Sequence, residues 1–302
     1  EDSVFCQQLK LLWGCSDFVG DQCTVNPDLF EALADSGDLE RSYSDNRYLE
    51  LLQLVGIKNE DQLSHRLRVF RLREMIRIVW RDFTRQASMV ETTRDATRLA
   101  EACINGALDI LHPLVCVELG KPISHKGEEQ RLVVIAMGKL GAHELNISSD
   151  IDLIFAYPES GQTEGAERSI SNQEFFIRLG QKLIAALDHH TEDGFVFRVD
   201  MRLRPYGQSG ALVLNFDALE EYYLTQGREW ERYAMIKARV VAGAPADAML
   251  LHNMLKPFVY RKYLDYGAIE SLRDLKRLIN RDVSRKGMRD NIKLGEGGIR
   301  EV

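Results

Sequence analysis

The stretch from Leu132 to Tyr157, LVVIAMGKLGAHELNISSDIDLIFAY, constrains the fold more than any other part of the chain. It is an apolar run, a turn holding Gly138 and Gly141, a short helical segment, and a second apolar run opened by Asp150 and Asp152. Short apolar runs bounded by turn residues read as strands. Side chains alternate along a strand, so Asp150 and Asp152 point to the same side. Two carboxylates held side by side repel. A divalent cation removes that repulsion, and magnesium favours carboxylate and phosphate oxygens. The pair therefore points to metal-dependent phosphoryl or nucleotidyl transfer. Gly138 and Gly141, where a strand feeds a helix, offer free N–H groups to a phosphate, with Lys139 between them. The spacings GxxxxGK[ST] and GxGxxG are both absent. Ser148 and Ser149 add hydroxyls beside the acids, or simply shape the turn into the strand.

A second stretch, Phe195 to Pro205, alternates as a strand over 195–203. Phe195, Phe197, Val199, Met201 and Leu203 take one face; Arg198, Asp200, Arg202 and Arg204 take the other. A carboxylate among guanidiniums suits a place where metal and phosphate meet, with Asp200 as third ligand and an arginine on the phosphate. The same pattern also suits a ladder of cross-strand salt bridges. Beside Asp150 and Asp152 on a neighbouring strand, the metal site is the better account. Such carboxylates bridge two Mg²⁺ ions about 3.5–4 Å apart, and no covalent protein nucleophile is needed. No GxSxG elbow occurs and none of the seven histidines forms an HExxH pair, which argues against acyl transfer and zinc hydrolysis.

Residues 1–125 read as an N-terminal helical domain. Asn26-Pro27-Asp28 is a helix start and Gly37 a stop. Asn59 with Gln62 resembles a capping box opening a long helix. That helix carries Arg66, Arg73, Arg77, Arg81 and Arg85, either a solvated face or a docking surface for an acidic partner or phosphate. A further helix spans about 93–118. Residues 120–130 are polar and mark a boundary, followed by a catalytic domain over 126–245. Strands are expected at 131–137, 151–157, 195–203 and 211–214, and helices at 172–187, 217–226 and 229–242. A C-terminal helical segment, 246–302, has Ile269, Leu272, Leu275, Ile279 and Val283 on one face; its end, GEGGIREV, reads as a truncation. Two more charged clusters stand out. Glu229, Lys237 and Arg239 form one, as a charged helix face or a phosphate grip. Lys293, Arg300 and Glu301 form the other, in a glycine-dense turn.

The net charge of −7 argues against nucleic acid as the main partner. No run of ~18 apolar residues suggests a membrane span, and no basic-then-apolar leader is visible. Five cysteines, an odd number without a tight pair, suit free thiols in a reducing cytoplasm.

Four blocks in order, GKLGAHELNISSDIDLIF, FRVDMRLRPYG, REWERYAMIKARVV and NIKLGEGGIREV, resemble those of the bifunctional glutamine synthetase adenylyltransferase/adenylyl-removing enzymes. That family belongs to the polymerase-β-like nucleotidyltransferase superfamily. The resemblance implies an α+β fold, mostly helical, with a small mixed sheet flanked by helices. It implies two homologous halves, one removing AMP from a tyrosine of glutamine synthetase by phosphorolysis and one adding it from ATP. The adding half typically reads YEVDARLRPSG and DIKADEGGITDIEF. This chain has Arg300-Glu301 where that half has Thr-Asp, so it resembles the removing half. Expected in consequence are two Mg²⁺ on Asp150, Asp152 and Asp200. Phosphate and nucleotide contacts are expected from Gly138, Lys139, Gly141, Ser149, Arg202, Arg204 and Lys237, with Glu229, Arg239, Lys293, Arg300 and Glu301 as further candidates. Adenylylated glutamine synthetase, the PII signalling protein, phosphate and ADP are the expected partners. Adenylylation from ATP, or a non-catalytic regulatory module, are the alternatives.

Overall fold

The structure, a computed structural model, describes residues 3–44, 46–260 and 266–287. Lys293, Arg300 and Glu301, and the side chains of Ile269, Leu272 and Leu275, lie outside what is described.

Six helices come first: α1 (Val4–Cys15), α2 (Asp17–Val25), α3 (Pro27–Asp35), α4 (Arg47–Leu52), α5 (Glu60–Phe83) and α6 (Met89–Leu119). Their starts follow local chemistry. Pro27 sits at the first position of α3, where its missing N–H costs nothing. The Asn59 side chain accepts from the Gln62 N–H at 2.9 Å and caps α5. The return bond differs from a capping box, since Gln62 Oε1 accepts from Lys58, one residue before the cap.

Then follow β1 (Lys121–Pro122), β2 (Val133–Ala136), α7 (Gly138–Gly141), β3 (Ile151–Tyr157), β4 (Thr163–Glu164), α8 (Asn172–Asp188), β5 (Val199–Asp200), β6 (Val213–Asn215), α9 (Phe216–Thr225), α10 (Glu229–Ile236), β7 (Arg239–Ala242), α11 (Pro245–Val259) and α12 (Tyr266–Arg285). The main sheet is mixed, in the order β5-β3-β2-β7, with β6 also on β3. Strand β2 runs antiparallel to both β3 and β7, whereas β5 and β6 lie parallel to β3. Because β2 occupies one edge of β3, β5 and β6 share the other edge end to end.

Strands β2 and β3 are covered on both faces, which is why they read as continuous apolar runs. Val134, Ala136, Leu153, Phe155 and Tyr157 pack with α6 and α8, notably Phe175, Phe176, Leu179 and Leu183. Val133, Ile135, Ile154 and Ala156 pack with Phe216, Leu219, Tyr223, Leu251 and Phe258 from α9 and α11. The first core continues across residue 125 into α4, α5 and α6, so the polar 120–130 segment does not divide it. Among the described residues, α6 is the one helix long and apolar enough to cross a membrane, and half of its most apolar stretch is buried in this core.

Two expected elements differ. The strand expected at 195–203 pairs only over Val199–Asp200. Beyond it, Asp200 Oδ1 accepts the Arg202 N–H at 2.8 Å, and this side-chain turn takes the chain out of the sheet until β6. The helix expected over 229–242 stops at Ile236, and Arg239–Ala242 becomes the edge strand β7 against β2. Edge pairing overrides the local helical pattern there.

From Arg66 to Arg81 the arginine stripe of α5 is neither a solvated face nor a docking surface; Arg85 falls past the helix end at Phe83, in a left-handed turn, and is exposed. Arg77 and Arg81 are buried, and Arg73 is three-quarters covered. They engage Asp38, Glu74, Asp95 and Glu91 inside the helical layer. Arg66 donates to the carbonyls of Leu51 and Leu52 at the end of α4.

Candidate active site

Register brings the acids together. Asp152 on β3 lies directly opposite Asp200 on the parallel strand β5. Paired residues of neighbouring strands share a face, so both carboxylates project to one side. Asp150 stands two residues earlier, just before β3 begins. The turn from β2 into α7 closes over this point: the Met137 N–H donates to the Asp152 carbonyl at 2.9 Å. Gly138 has a φ of +57°, and a Cβ there would lie 3.0 Å from Asp152 Oδ2. Glycine at 138 therefore supplies both the left-handed turn and the space over the carboxylate.

The charges around the acids are cationic. Arg198, which sequence reasoning placed on the right face but did not count as a site residue, pairs with Asp150 and donates to the Ser148 carbonyl at 2.7 Å. Its position two residues before Asp200, on the same alternating face, was the signal. Arg202 forks onto Asp200, with Nε to Oδ2 at 2.8 Å. The hydrogen bonds from Arg202 hold the Asp200 carboxyl below the ordinary range. Arg202 in turn is held more basic by Asp200, with Asp152 and Asp150 adding attraction. The guanidinium is 72% exposed while Asp200 is 16% exposed, so an exposed cation covers a sheltered anion.

Three carboxylates on adjacent strand ends, under a glycine turn, are a hard-oxygen donor set of the kind magnesium takes. The Arg202 guanidinium supplies counter-charge to this acidic locus.

The remaining candidates separate. Lys139 Nζ lies 3.1 Å from Ser149 Oγ, beside the acids. Arg204 is committed to its own loop, donating to the carbonyls of Met201 at 2.8 Å and Gln208 at 3.2 Å, and so pins the excursion between β5 and β6. Lys237 pairs with Glu144, and Glu229 with Arg232. Arg239 joins Glu101 of α6 to the carbonyls of Leu140 and Gly141, tying the helical layer to the site's floor. Helix α7 is a single turn, too short for a strong dipole. Gly141 serves close packing: a Cβ there would lie 1.8 Å from the Lys237 carbonyl oxygen and 2.6 Å from that of Ala136. Gly141→Ala is expected to destabilise the fold by about 1–3 kcal/mol, because backbone must move to admit the methyl group. A thermal melt checks this, and an unchanged midpoint would refute the packing role.

Residues 6–253 match the family profile described as glutamate-ammonia ligase adenylyltransferase. Curated relatives carry the name bifunctional glutamine synthetase adenylyltransferase/adenylyl-removing enzyme. The chain is 59% identical over 299 residues to that of Pseudomonas aeruginosa, 56% over 308 residues to that of Nitrosococcus oceani, and 51% over 298 residues to that of Shewanella oneidensis. These alignments cover 98%, 100% and 98% of the chain but 30%, 32% and 31% of the relatives. The chain thus spans about a third of the length of the curated relatives it matches. With its profile match and this level of identity, the chain belongs to the glutamate-ammonia ligase adenylyltransferase family.

Proposed function

We propose that this chain carries a nucleotidyltransferase site that removes AMP from an adenylylated tyrosine of glutamine synthetase by phosphorolysis. The observation that carries this is the pairing of Asp152 with Asp200 on parallel strands, with Asp150 two residues away, in a chain of this family. Asp150, Asp152 and Asp200 would hold two Mg²⁺. Bound there, magnesium would supply positive charge to the transferred phosphoryl group. An oxygen of inorganic phosphate forms a bond to the AMP phosphorus as the bond to the tyrosine oxygen breaks. The phenolate takes a proton from solvent, and ADP leaves.

The chain's own residues supply position and charge. Arg202 is the cation free to turn from Asp200 toward incoming phosphate, since its exposed head loses little by moving. Lys139, held against Ser149, adds a second positive charge at the same turn. Arg204 and Lys237, engaged by loop carbonyls and by Glu144, shape the site rather than bind phosphate. The same assignment makes the PII signalling protein a regulatory partner and the cytoplasm the place of action. It rests on the wording of the sequence blocks that resemble the removing half.

A second reading, adenylylation from ATP, is favoured by the family's description as an adenylyltransferase. Two assays separate them. With adenylylated glutamine synthetase, Mg²⁺ and phosphate, ADP is expected to form in proportion to restored enzyme. Labelling of unmodified glutamine synthetase from ATP, without need of phosphate, would overturn the assignment in favour of the second. Neither activity, with no Mg²⁺-dependent nucleotide binding by calorimetry, would leave a regulatory module.

A further inference from the structure

A second cluster of chemistry-bearing side chains lies on α6 and the segment that leads into β2. Glu129 precedes the start of β2, whereas the aspartates gather past its other end. His112 and Cys116 stand four residues apart on α6, one turn on the same helix face. A ring nitrogen of His112, the Cys116 sulfur and a Glu129 carboxylate oxygen all lie within 4.8 Å of one another. His112 is 2% exposed, with Nε2 3.0 Å from Glu129 Oε1, and its Nδ1 is buried with no hydrogen-bond partner. The imidazole therefore keeps an unused polar atom in the core.

We propose that His112, Cys116 and Glu129 form a zinc-class metal site that clips the segment entering the sheet onto α6. One imidazole nitrogen, one thiolate and one carboxylate oxygen are the donor types of three-ligand zinc sites, with water in the fourth position. A soft sulfur donor selects against magnesium and calcium.

The imidazole is ready to ligate, whereas the thiol must first give up its proton. Burial and the nearby Arg131 keep His112 less basic than usual, so the ring is neutral and holds a lone pair. Burial pushes the Cys116 thiol up to about 11, so without metal the sulfur keeps its proton. Binding releases that proton to solvent, breaks the His112–Glu129 hydrogen bond, moves the ring proton from Nε2 to Nδ1 and forms three bonds to metal. Lys121, 3.3 Å from Glu129 Oε2, and Arg131, 3.5 Å from Oε1, face the same carboxylate. They engage both carboxylate oxygens, which orients the carboxylate and weakens the site for a dication.

The test is titration of the reduced chain with Co²⁺, read by absorbance. One Co²⁺ per chain is expected to give a sulfur-to-cobalt charge-transfer band in the near ultraviolet, bleached by Zn²⁺. Cys116→Ser is expected to abolish the band, and Glu129→Gln to weaken apparent affinity by roughly tenfold or more. The double variant Cys6→Ser/Cys15→Ser, at two exposed thiols, should keep the band. Asp152→Asn should also keep it, which separates this site from the carboxylate site. Absence of the band at saturating Co²⁺ in a natively folded chain, or its survival in Cys116→Ser, would overturn the proposal.

Discussion

Asp152→Asn is expected to lower phosphate-dependent release of ADP from adenylylated glutamine synthetase by at least about 10³-fold, with little change in stability. The substitution keeps shape and removes one negative charge. Asp152 faces Asp200 across the parallel pair and stands two residues from Asp150. It is the central acid of the three, and no other carboxylate can take its place at that register. Loss of the charge relieves repulsion from Asp150 and Asp200 while it gives up attraction to Arg202, so the thermal midpoint should stay close to its value. The two readouts must move apart for the assignment to stand. A parallel fall in stability and activity would mean that Asp152 serves the fold instead. Full activity in the variant would remove the carboxylates from the chemistry.

Much of this geometry was legible in the sequence because its causes are local. Strand β3 spans Ile151–Tyr157 as expected, since a run buried on both faces is bounded by serines and aspartate on one side and Pro158 on the other. The placing of Asp200 beside Asp152 followed from two strand patterns and was legible to the same degree. The misreadings share another cause. Alternation through Leu203 persists in the letters, but Asp200 captures the Arg202 N–H and ends the strand three residues early. The segment Arg239–Ala242 suits a helix until the open edge of β2 recruits it. Arg204 turns back onto carbonyls of its own loop, whereas Lys237 and Arg239 are engaged by Glu144 and Glu101, which are distant in sequence. Spacing reveals which side chains share a face of one element. It does not reveal what the opposing element presents.

The arginine stripe of α5 shows the same limit and leads to the largest expected effect on stability. Arg77 is wholly buried, and its guanidinium is surrounded by groups from three segments. It donates to Asp95 at 3.0 Å, to the Asp38 carbonyl at 3.1 Å, to the Tyr48 hydroxyl at 3.3 Å and to the Arg41 carbonyl. The Tyr43 ring lies 3.4 Å from it, in cation–π contact. Arg77→Met is expected to destabilise the fold by about 3–5 kcal/mol, because Asp95 loses its buried partner and keeps only Arg94 at 3.5 Å, whose side chain is part exposed. The two carbonyls lose their donors as well. In a thermal melt the midpoint should fall by roughly 6 °C or more. Adding Asp95→Leu should recover part of the loss, since the stranded charge is then gone and both positions are apolar. A docking surface behaves otherwise: Arg77→Met would then weaken partner binding and leave the melt unchanged. Measured well below its midpoint, the single variant should instead keep ADP release per folded molecule near normal, because Arg77 joins helices α5 and α6 to the 38–48 segment and touches none of the three aspartates of the site.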